Sequence, residues 1–480
     1  MPDLPWREVL AAAYLVWVAA ACGSILLSRR SPASTLAWIF AFVALPVVSG
    51  LYYLVFGPRR LKRRQHRYAF ARGALAGEVS AYLRGSCREK PRLPPHLHGL
   101  ASVGDRLGQG GPRTASSIRL LADGDTCLAA LEEAIRGARH HLHLEYYIWE
   151  PDGVGTRLRD LLVEARRRGV EVRVLHDALG SPRAKKAFWK PLRAAGGEVR
   201  AFNPFRLSPA GLHVANFRTH RKIVVSDGSA GFLGGMNVHD PESRALSGRD
   251  AWRDEHVRIE GEPVRRLQRL FLEGWGFSGG RLSLTPETVR DYFPPVQGSG
   301  GAPVQLLASG PDDESAPIHA FFLAAIGTAR RRVWIETPYL VPDEPLEVTL
   351  TVAHLRGVDV QVIVPKRGDS RLVTAASHTY SQSLRRSGIA VYEYGPPMLH
   401  AKTMIVDDSV AMVGTANLDN RSFRLNFEVA AVLYDPPSVR ELAERFERDR
   451  EAARLFPARR RGPRVTALLE SLARLTSPVL

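Results

Sequence analysis

The chain of 480 residues carries a formal charge of +17 and a pI near 10.2. That balance favours an anionic partner, which either phospholipid headgroups or nucleic acid would supply. The three cysteines, Cys22, Cys87 and Cys127, are too few and too scattered for a disulfide framework or a cysteine metal site.

Two uncharged stretches open the chain. Val9 to Leu27 runs for 19 residues and Pro32 to Gly57 for 26. At about 1.5 Å per residue, each is long enough to cross a hydrocarbon core of about 30 Å. Only Ser28-Arg29-Arg30-Ser31 separates them, so residues 1–58 are predicted to form a two-helix transmembrane hairpin with Pro46 kinking the second span. A cleaved signal peptide fits less well, because the first stretch is long for an apolar signal core and a second one follows. Arg59, Arg60, Lys62, Arg63, Arg64 and Arg67 follow the hairpin, against two arginines in its turn. The excess places the bulk of the chain in the cytoplasm, on a multi-pass anchor in the inner membrane.

Residues 59–115 turn basic and then Pro- and Gly-rich, as in Lys90-Pro-Arg-Leu-Pro-Pro95, and read as a tether lying on headgroups. Amphipathic patterns at 128–139 and 156–168, and again at 317–330 and 346–356, predict helices alternating with branched apolar strands. Such alternation implies an α/β sheet covered by helices. His140, His141 and His143 look like metal ligands, yet they stand at a helix-to-strand junction with no acid at ligand spacing. A structural or rim role suits them better. Gln297-Gly-Ser-Gly-Gly-Ala-Pro303 reads as a joint between halves 116–297 and 298–480. Near the end, Val465, Leu468, Leu469, Leu472 and Leu475 lie at helical spacing and predict a helix packed on the second half.

The two halves repeat each other. Gly169-Val-Glu-Val-Arg-Val-Leu175 matches Gly357-Val-Asp-Val-Gln-Val-Ile363, and each precedes a copy of H-x-K-x-x-x-x-D. The copies, His220, Lys222 and Asp227, then His400, Lys402 and Asp407, form the candidate catalytic set. Only 8 of the 66 Lys plus Arg are Lys, so a lysine at both motif positions is conspicuous. Asn237 and Asn417 follow at similar distances. Lys222-Ile-Val-Val and Lys402-Thr-Met-Ile-Val alternate as strands, which would point His and Lys to one face. This set suits a phosphodiester: one imidazole to attack phosphorus, one to protonate the leaving alkoxide, and lysines with amides to hold the non-bridging oxygens. A carboxylate would fix each imidazole tautomer. Glu145 and Glu336 are candidates for that role, and so are Asp254 and Glu428.

These strings resemble the phospholipase D superfamily and, within it, the bacterial cardiolipin synthases. The likeness runs through Asn216-Phe-Arg-Thr-His220-Arg-Lys222, Gly234-Gly-Met-Asn237, Trp252-Arg-Asp254, Thr337-Pro-Tyr-Leu-Val-Pro342 and Gly414-Thr-Ala-Asn417 to Glu428, and through the hairpin. Thr415 stands where serine is expected, and Glu255 where a neutral residue is commoner. The resemblance implies two fused phospholipase D-like α/β domains sharing one active site. It further implies phosphatidyl transfer between two phosphatidylglycerol molecules, giving cardiolipin and glycerol through a phosphatidyl-histidine without metal or cofactor. His220 is expected as nucleophile and His400 as acid, with Asp254 and Glu428 as the orienting pair and Asp227 and Asp407 holding the motif's own backbone or lysine. The alternative is a membrane-bound hydrolase of the same fold, a phospholipase or a nuclease. No basic stretch interleaved with aromatics lies outside the tether, so nucleic acid is not expected as a partner. Oligomeric state is not legible, since one chain already holds both half-sites.

Overall fold

Branched apolar runs alternating with amphipathic helices produce one main sheet that both halves of the chain share, beside a small two-stranded one. The computed structural model describes residues 6–27, 32–45, 91–204, 217–296, 301–313 and 315–458, with isolated positions besides. It forms two compact units, residues 1–67 with 205–216, and residues 68–204 with 217–480.

The larger unit holds both repeats. The first contributes β1 (Arg113–Leu121), β2 (His141–Tyr146), β3 (Glu171–Asp177), β4 (Glu198–Phe202), β5 (Arg218–Thr219), β6 (Ile223–Ser226), β7 (Ala230–Gly234) and β8 (His256–Gly261). The second contributes β9 (Ala302–Ser309), β10 (Arg332–Glu336), β11 (Leu340–Val341), β12 (Asp359–Pro365), β13 (Ala390–Tyr394), β14 (Thr403–Val406), β15 (Val410–Gly414), β16 (Leu418–Asp419), β17 (Asn426–Leu433) and β18 (Arg454–Leu455). Across the sheet the order is β18-β13-β12-β10-β14-β15-β17-β9-β1-β8-β7-β6-β2-β3-β4, with β5 beside β17. Read outward from the β1–β9 pair, the two wings carry corresponding strands in corresponding order. In each wing three consecutive strands are parallel, β2-β3-β4 and β10-β12-β13, the latter edged by antiparallel β18, and the adjacent strand of the motif hairpin runs antiparallel to them. Residues 297–300, where the joint was expected, lie outside the described residues; β9 begins just past them and pairs with β1.

Helices expected at 128–139, 156–168, 317–330 and 346–356 appear at Gly124–Gly137, Gly153–Arg167, Pro317–Thr328 and Glu344–Leu355. Asp123, Asp152 and Asp343 cap three of them by accepting backbone N–H bonds, which supplies otherwise orphaned donors. The helices cover two cores, one per wing, and a third core spans both wings. Ile223, Val224 and Val225 of β6 are fully buried; side chains of that size contribute about 1.5–3 kcal/mol each when buried. This dense core fixes where the motif residues emerge.

Two expectations are corrected and a third is met only in part. Part of the tether is a helix, Pro95–Arg106, and its Leu97, Leu100 and Ala101 are buried in the second wing's core. The motif His and Lys precede their strands and do not lie in them, because β6 begins at Ile223 and β14 at Thr403. The third concerns the amino terminus. In the smaller unit, helix α1 (Trp6–Leu26) and helix α2 (Pro32–Ala44) pack together through Ala21, Ile25, Phe42 and Trp38. Among the described residues, no helix is long and apolar enough to cross a membrane. The span expected at 32–57 is helical in α2 for 13 residues, and most of 46–57 lies outside the described residues. The expected terminal helix at 465–475 also falls largely outside them.

Candidate active site

Each motif histidine is fixed by the other half of the chain. The His220 backbone N–H donates to Phe427 O at 2.9 Å, and the next residue, Glu428, places both carboxylate oxygens 3.0 Å from His220 Nδ1. The counterpart repeats this register. His400 N–H donates to Arg253 O at 2.7 Å, and the following Asp254 sets Oδ2 2.5 Å from His400 Nδ1. Sequence order left open which carboxylate serves which histidine; the structure crosses them. Both histidines and both carboxylates are buried.

The crossing follows from the strand register. β5 pairs with β17 at Arg218–Asn426 and Thr219–Phe427, while an isolated bridge joins Arg253 to Leu399. Glu145 and Glu336, the other candidates, accept from Thr219 and Thr403 hydroxyls and so brace the motif strands.

Lys222 and Lys402 each donate to the carbonyl of the histidine two residues earlier, Lys222 at 2.9 Å. Burial, reinforced by the Lys402 charge, pushes Lys222 down to about 7. Burial also lowers Lys402, against the pull of Asp254, Glu242 and Glu428. Two lysines in one desolvated cavity repel each other, and an arriving phosphate anion relieves that repulsion. Burial and the neighbouring lysines hold both imidazoles below the usual histidine range. Burial pushes Asp254 up to about 6. For Glu428 burial acts upward too, but His220 and Lys222 together overcome it and keep the carboxyl low.

Several supporting contacts escaped sequence reasoning, although some of the residues that make them were named. Asn237 N–H donates to Glu242 at 3.0 Å, and Asn417 N–H to the Ser422 hydroxyl at 3.1 Å. Both partners stand five residues past their Asn, a repeat the sequence does display. The Asn237 side-chain oxygen accepts from Ile148 N–H, leaving its amide NH2 as the group that can face a phosphate. Tyr147 lies edge-on to His220 at 4.9 Å, and Trp252 covers His400 at 4.9 Å. Thr415 donates to Glu428 and accepts from Val429 N–H, so the hydroxyl matters and not the choice of serine. Glu255 accepts from Arg253 and Arg445 at 2.7 Å each, which neutralises a buried acid and locks the backbone beside Asp254. Gly235 is obligatory: a Cβ there would stand 2.1 Å from Asp254 Oδ1.

Asp227 and Asp407 do not reach this site. Both occupy the left-handed region, at φ +51° and +53°, at the far turn of each motif hairpin. Asp227 accepts N–H bonds from Arg139, His140 and His141 at 2.8–2.9 Å, and Asp407 from Arg330, Arg331 and Arg332 at 2.8–3.2 Å. They anchor the starts of β2 and β10, and they hold neither lysine. Nor do His141 and His143 form a metal site. They are buried in a chain with Gln268, Glu171 and Tyr292, with His143 stacked on Phe271 at 4.5 Å.

Glu242, Asp254 and His400 bring donor atoms within 4.8 Å of one another, the spacing of a cation site. His400 Nδ1 is already engaged by Asp254, and the adjacent Lys222 and Lys402 charges oppose a bound cation. The set is better matched to holding His400 than to holding a metal.

Two α/β repeats that deliver paired His and Lys to one cavity, each histidine oriented by the opposite repeat, constitute a phospholipase D-like fold and site. The family model described as cardiolipin synthase, PLD-like domain, matches residues 131–248 and 322–450. The chain belongs to this cardiolipin synthase family. It is 39% identical over 466 residues to a cardiolipin synthase of Geobacillus sp. (strain WCH70), covering 95% of this chain and 91% of that one. The likeness to the cardiolipin synthase of Halalkalibacterium halodurans is 36% over 467 residues with the same coverage. Among solved structures, phosphatidylserine synthase of Haemophilus influenzae shares the fold, with a TM-score of 0.61 at 17% identity over 79% of this chain and all of that one.

Proposed function

We propose that this site transfers a phosphatidyl group from one phosphatidylglycerol to a second, producing cardiolipin and glycerol. His220 Nε2 attacks phosphorus, the bond to glycerol breaks, and the departing alkoxide takes a proton from His400 Nε2. A hydroxyl of the second lipid then returns a proton to His400 and attacks phosphorus, releasing His220. Lys222, Lys402, Asn237 and Asn417 hold the non-bridging oxygens throughout. The observation that carries this reading is the crossed pairing of His220 with Glu428 and His400 with Asp254. An ionised Glu428 keeps the His220 proton on Nδ1 and leaves the Nε2 lone pair free to attack. The His400–Asp254 couple, with Asp254 raised to about 6, accommodates the extra proton an acid needs.

The same reading takes residues 116–297 and 298–480 as the two fused domains and embeds α1 and α2 in the inner membrane as a hairpin. Twelve of the twenty exposed large apolar side chains among the described residues lie between Val9 and Val48, among them Leu15, Val16, Leu27, Phe40 and Val43. Apolar surface of that density favours lipid over water. The cations at 59–67 favour a cytoplasmic site on anionic headgroups.

The test is product analysis after giving the purified, detergent-solubilised protein radiolabelled phosphatidylglycerol, with His220→Ala and His400→Ala alongside. Label in cardiolipin from wild type, and from neither variant, is expected. Label in phosphatidic acid alone would make the protein a hydrolase.

A further inference from the structure

A site built to hold a phosphate carries one acid with no evident use for a phosphate. Asp369 is exposed on the loop between β12 and the helix Arg371–Arg386. Its Oδ1 accepts from the Tyr339 hydroxyl at 2.5 Å, and no protein hydrogen bond reaches Oδ2 among the described residues. The mount is rigid. Thr337 Oγ1 donates to Tyr339 O at 2.9 Å and accepts from Leu418 N–H at 3.2 Å, beside Asn417. Ser370, the next residue, caps the helix by accepting from Val373 N–H.

Asp369 also lies within electrostatic reach of the reacting groups. Its charge acts on His400 and Lys402, and on Tyr147, which lies edge-on to His220. The other acids at the site are engaged by its own groups: Glu428 and Asp254 by the histidines, Glu242 by Asn237, and Asp419 by Ser422. An exposed carboxylate at the rim weakens anion binding, so its position suits a ligand that brings hydrogen-bond donors. In an in-line transfer, the incoming alcohol occupies the side of the acid–base histidine, and Asp369 acts on that histidine and its lysine and is tied through Tyr339 and Thr337 to Leu418, next to Asn417.

We propose that Asp369, held by Tyr339, binds the acceptor by taking a hydrogen bond from a hydroxyl of its polyol headgroup, leaving the neighbouring hydroxyl to attack phosphorus. The P–O bond to the acceptor forms, the P–N bond to His220 breaks, and the proton of the attacking hydroxyl passes to His400. Asp369 thus separates transfer from hydrolysis, because water cannot span from the carboxylate to phosphorus. The inference rests on the phosphatidyl-transfer reading.

The experiment uses the full chain in detergent with phosphatidyl-p-nitrophenol as donor, so that the leaving group makes no use of Asp369. Free glycerol, ethanolamine or methanol is the acceptor, and wild type is compared with Asp369→Asn, Asp369→Ala and Tyr339→Phe. The first-turnover burst of nitrophenol reports formation of the phosphatidyl-enzyme and should stay within about twofold in every variant. For Asp369→Ala, the KM for glycerol should rise about tenfold, the effect of losing a partly exposed hydrogen bond to a charged group. The phosphatidic acid fraction should rise with it. Transfer to methanol, which has no second hydroxyl, should be unchanged. A matching loss with ethanolamine would show that an ammonium uses the same carboxylate. An unaltered product ratio, or equal losses with glycerol and methanol, overturns the proposal. If wild type releases nitrophenol yet forms no phosphatidylglycerol, the transfer reading itself falls.

Discussion

Replacing Glu428 by Gln keeps its size and removes its charge, which makes it the sharpest probe of the crossed pairing. Both Glu428 oxygens lie 3.0 Å from His220 Nδ1, and the residue is fully buried. A hydrogen bond to a charged group contributes about 1.5–3 kcal/mol, and about 1.4 kcal/mol is a factor of ten. Loss of the charge alone therefore lowers kcat by about 10- to 150-fold, since His220 becomes cationic as it bonds to phosphorus. The amide adds a second effect. If its NH2 donates to Nδ1, the imidazole proton moves to Nε2 and blocks attack, and the analogous wrong-tautomer change in a Ser-His-Asp triad costs about 10⁴. A fall of about 10² to 10⁴ is expected. Thr415 donates to one Glu428 oxygen and Asn426 to the other, so the Gln oxygen keeps one of these bonds while its NH2 faces the other donor, and stability should fall by about 1–3 kcal/mol. Glu428 raises the His220 pKa against burial, so its removal should shift the acid limb of kcat/KM to lower pH. The assay is glycerol release from phosphatidylglycerol across pH, beside thermal unfolding. A kcat within threefold of wild type, with an unmoved acid limb, would refute the pairing.

Asp227→Asn should differ in kcat: it weakens the anchor of β2, lowering stability by about 1–3 kcal/mol, while the folded fraction keeps its kcat. A loss of kcat without loss of Tm would return Asp227 to the catalytic set. Gly235→Ala should displace Asp254, whose oxygen lies 2.1 Å from the added Cβ, and cut kcat about as much as Asp254→Asn does; near-normal turnover would show that the loop yields freely. Lys222, pushed down to about 7, is charged below that pH and neutral above it. Binding of anionic lipid to the free enzyme should thus weaken as pH rises through about 7. Lys222→Arg should abolish this alkaline limb in kcat/KM, and a limb persisting near 7 would assign it to another group.

The sequence was most legible where a chemical constraint repeats. Two H-x-K motifs, the two Asn, and the acids Asp254 and Glu428 were all recoverable, because each repeat must present the same groups to the phosphate. The pairing across repeats was not, since it depends on β5 reaching β17 and Arg253 reaching Leu399, contacts separated by up to about two hundred residues. Asp227 and Asp407 misled for a related reason. Their fixed spacing from His reflects the length of a hairpin arm, which ends where a carboxylate must satisfy three backbone donors. Trp252 and Tyr339 stood in the strings that carry the family likeness, but their roles, like that of Tyr147, were not legible because loops set their positions. At the amino terminus, hydropathy located the two helices, α1 and α2, and most of the remainder of the second span lies outside the described residues.

The most direct test of the account is to trap the covalent step. With Asp254→Asn impairing His400 as base for the second half-reaction, rapid acid-free quenching after mixing with labelled phosphatidylglycerol should leave the phosphatidyl group on protein. Peptide mass spectrometry should then place it on His220, with one equivalent of glycerol released. An adduct on His400 would reverse the roles of the two histidines, and glycerol release with no adduct on either would contradict the two-step mechanism.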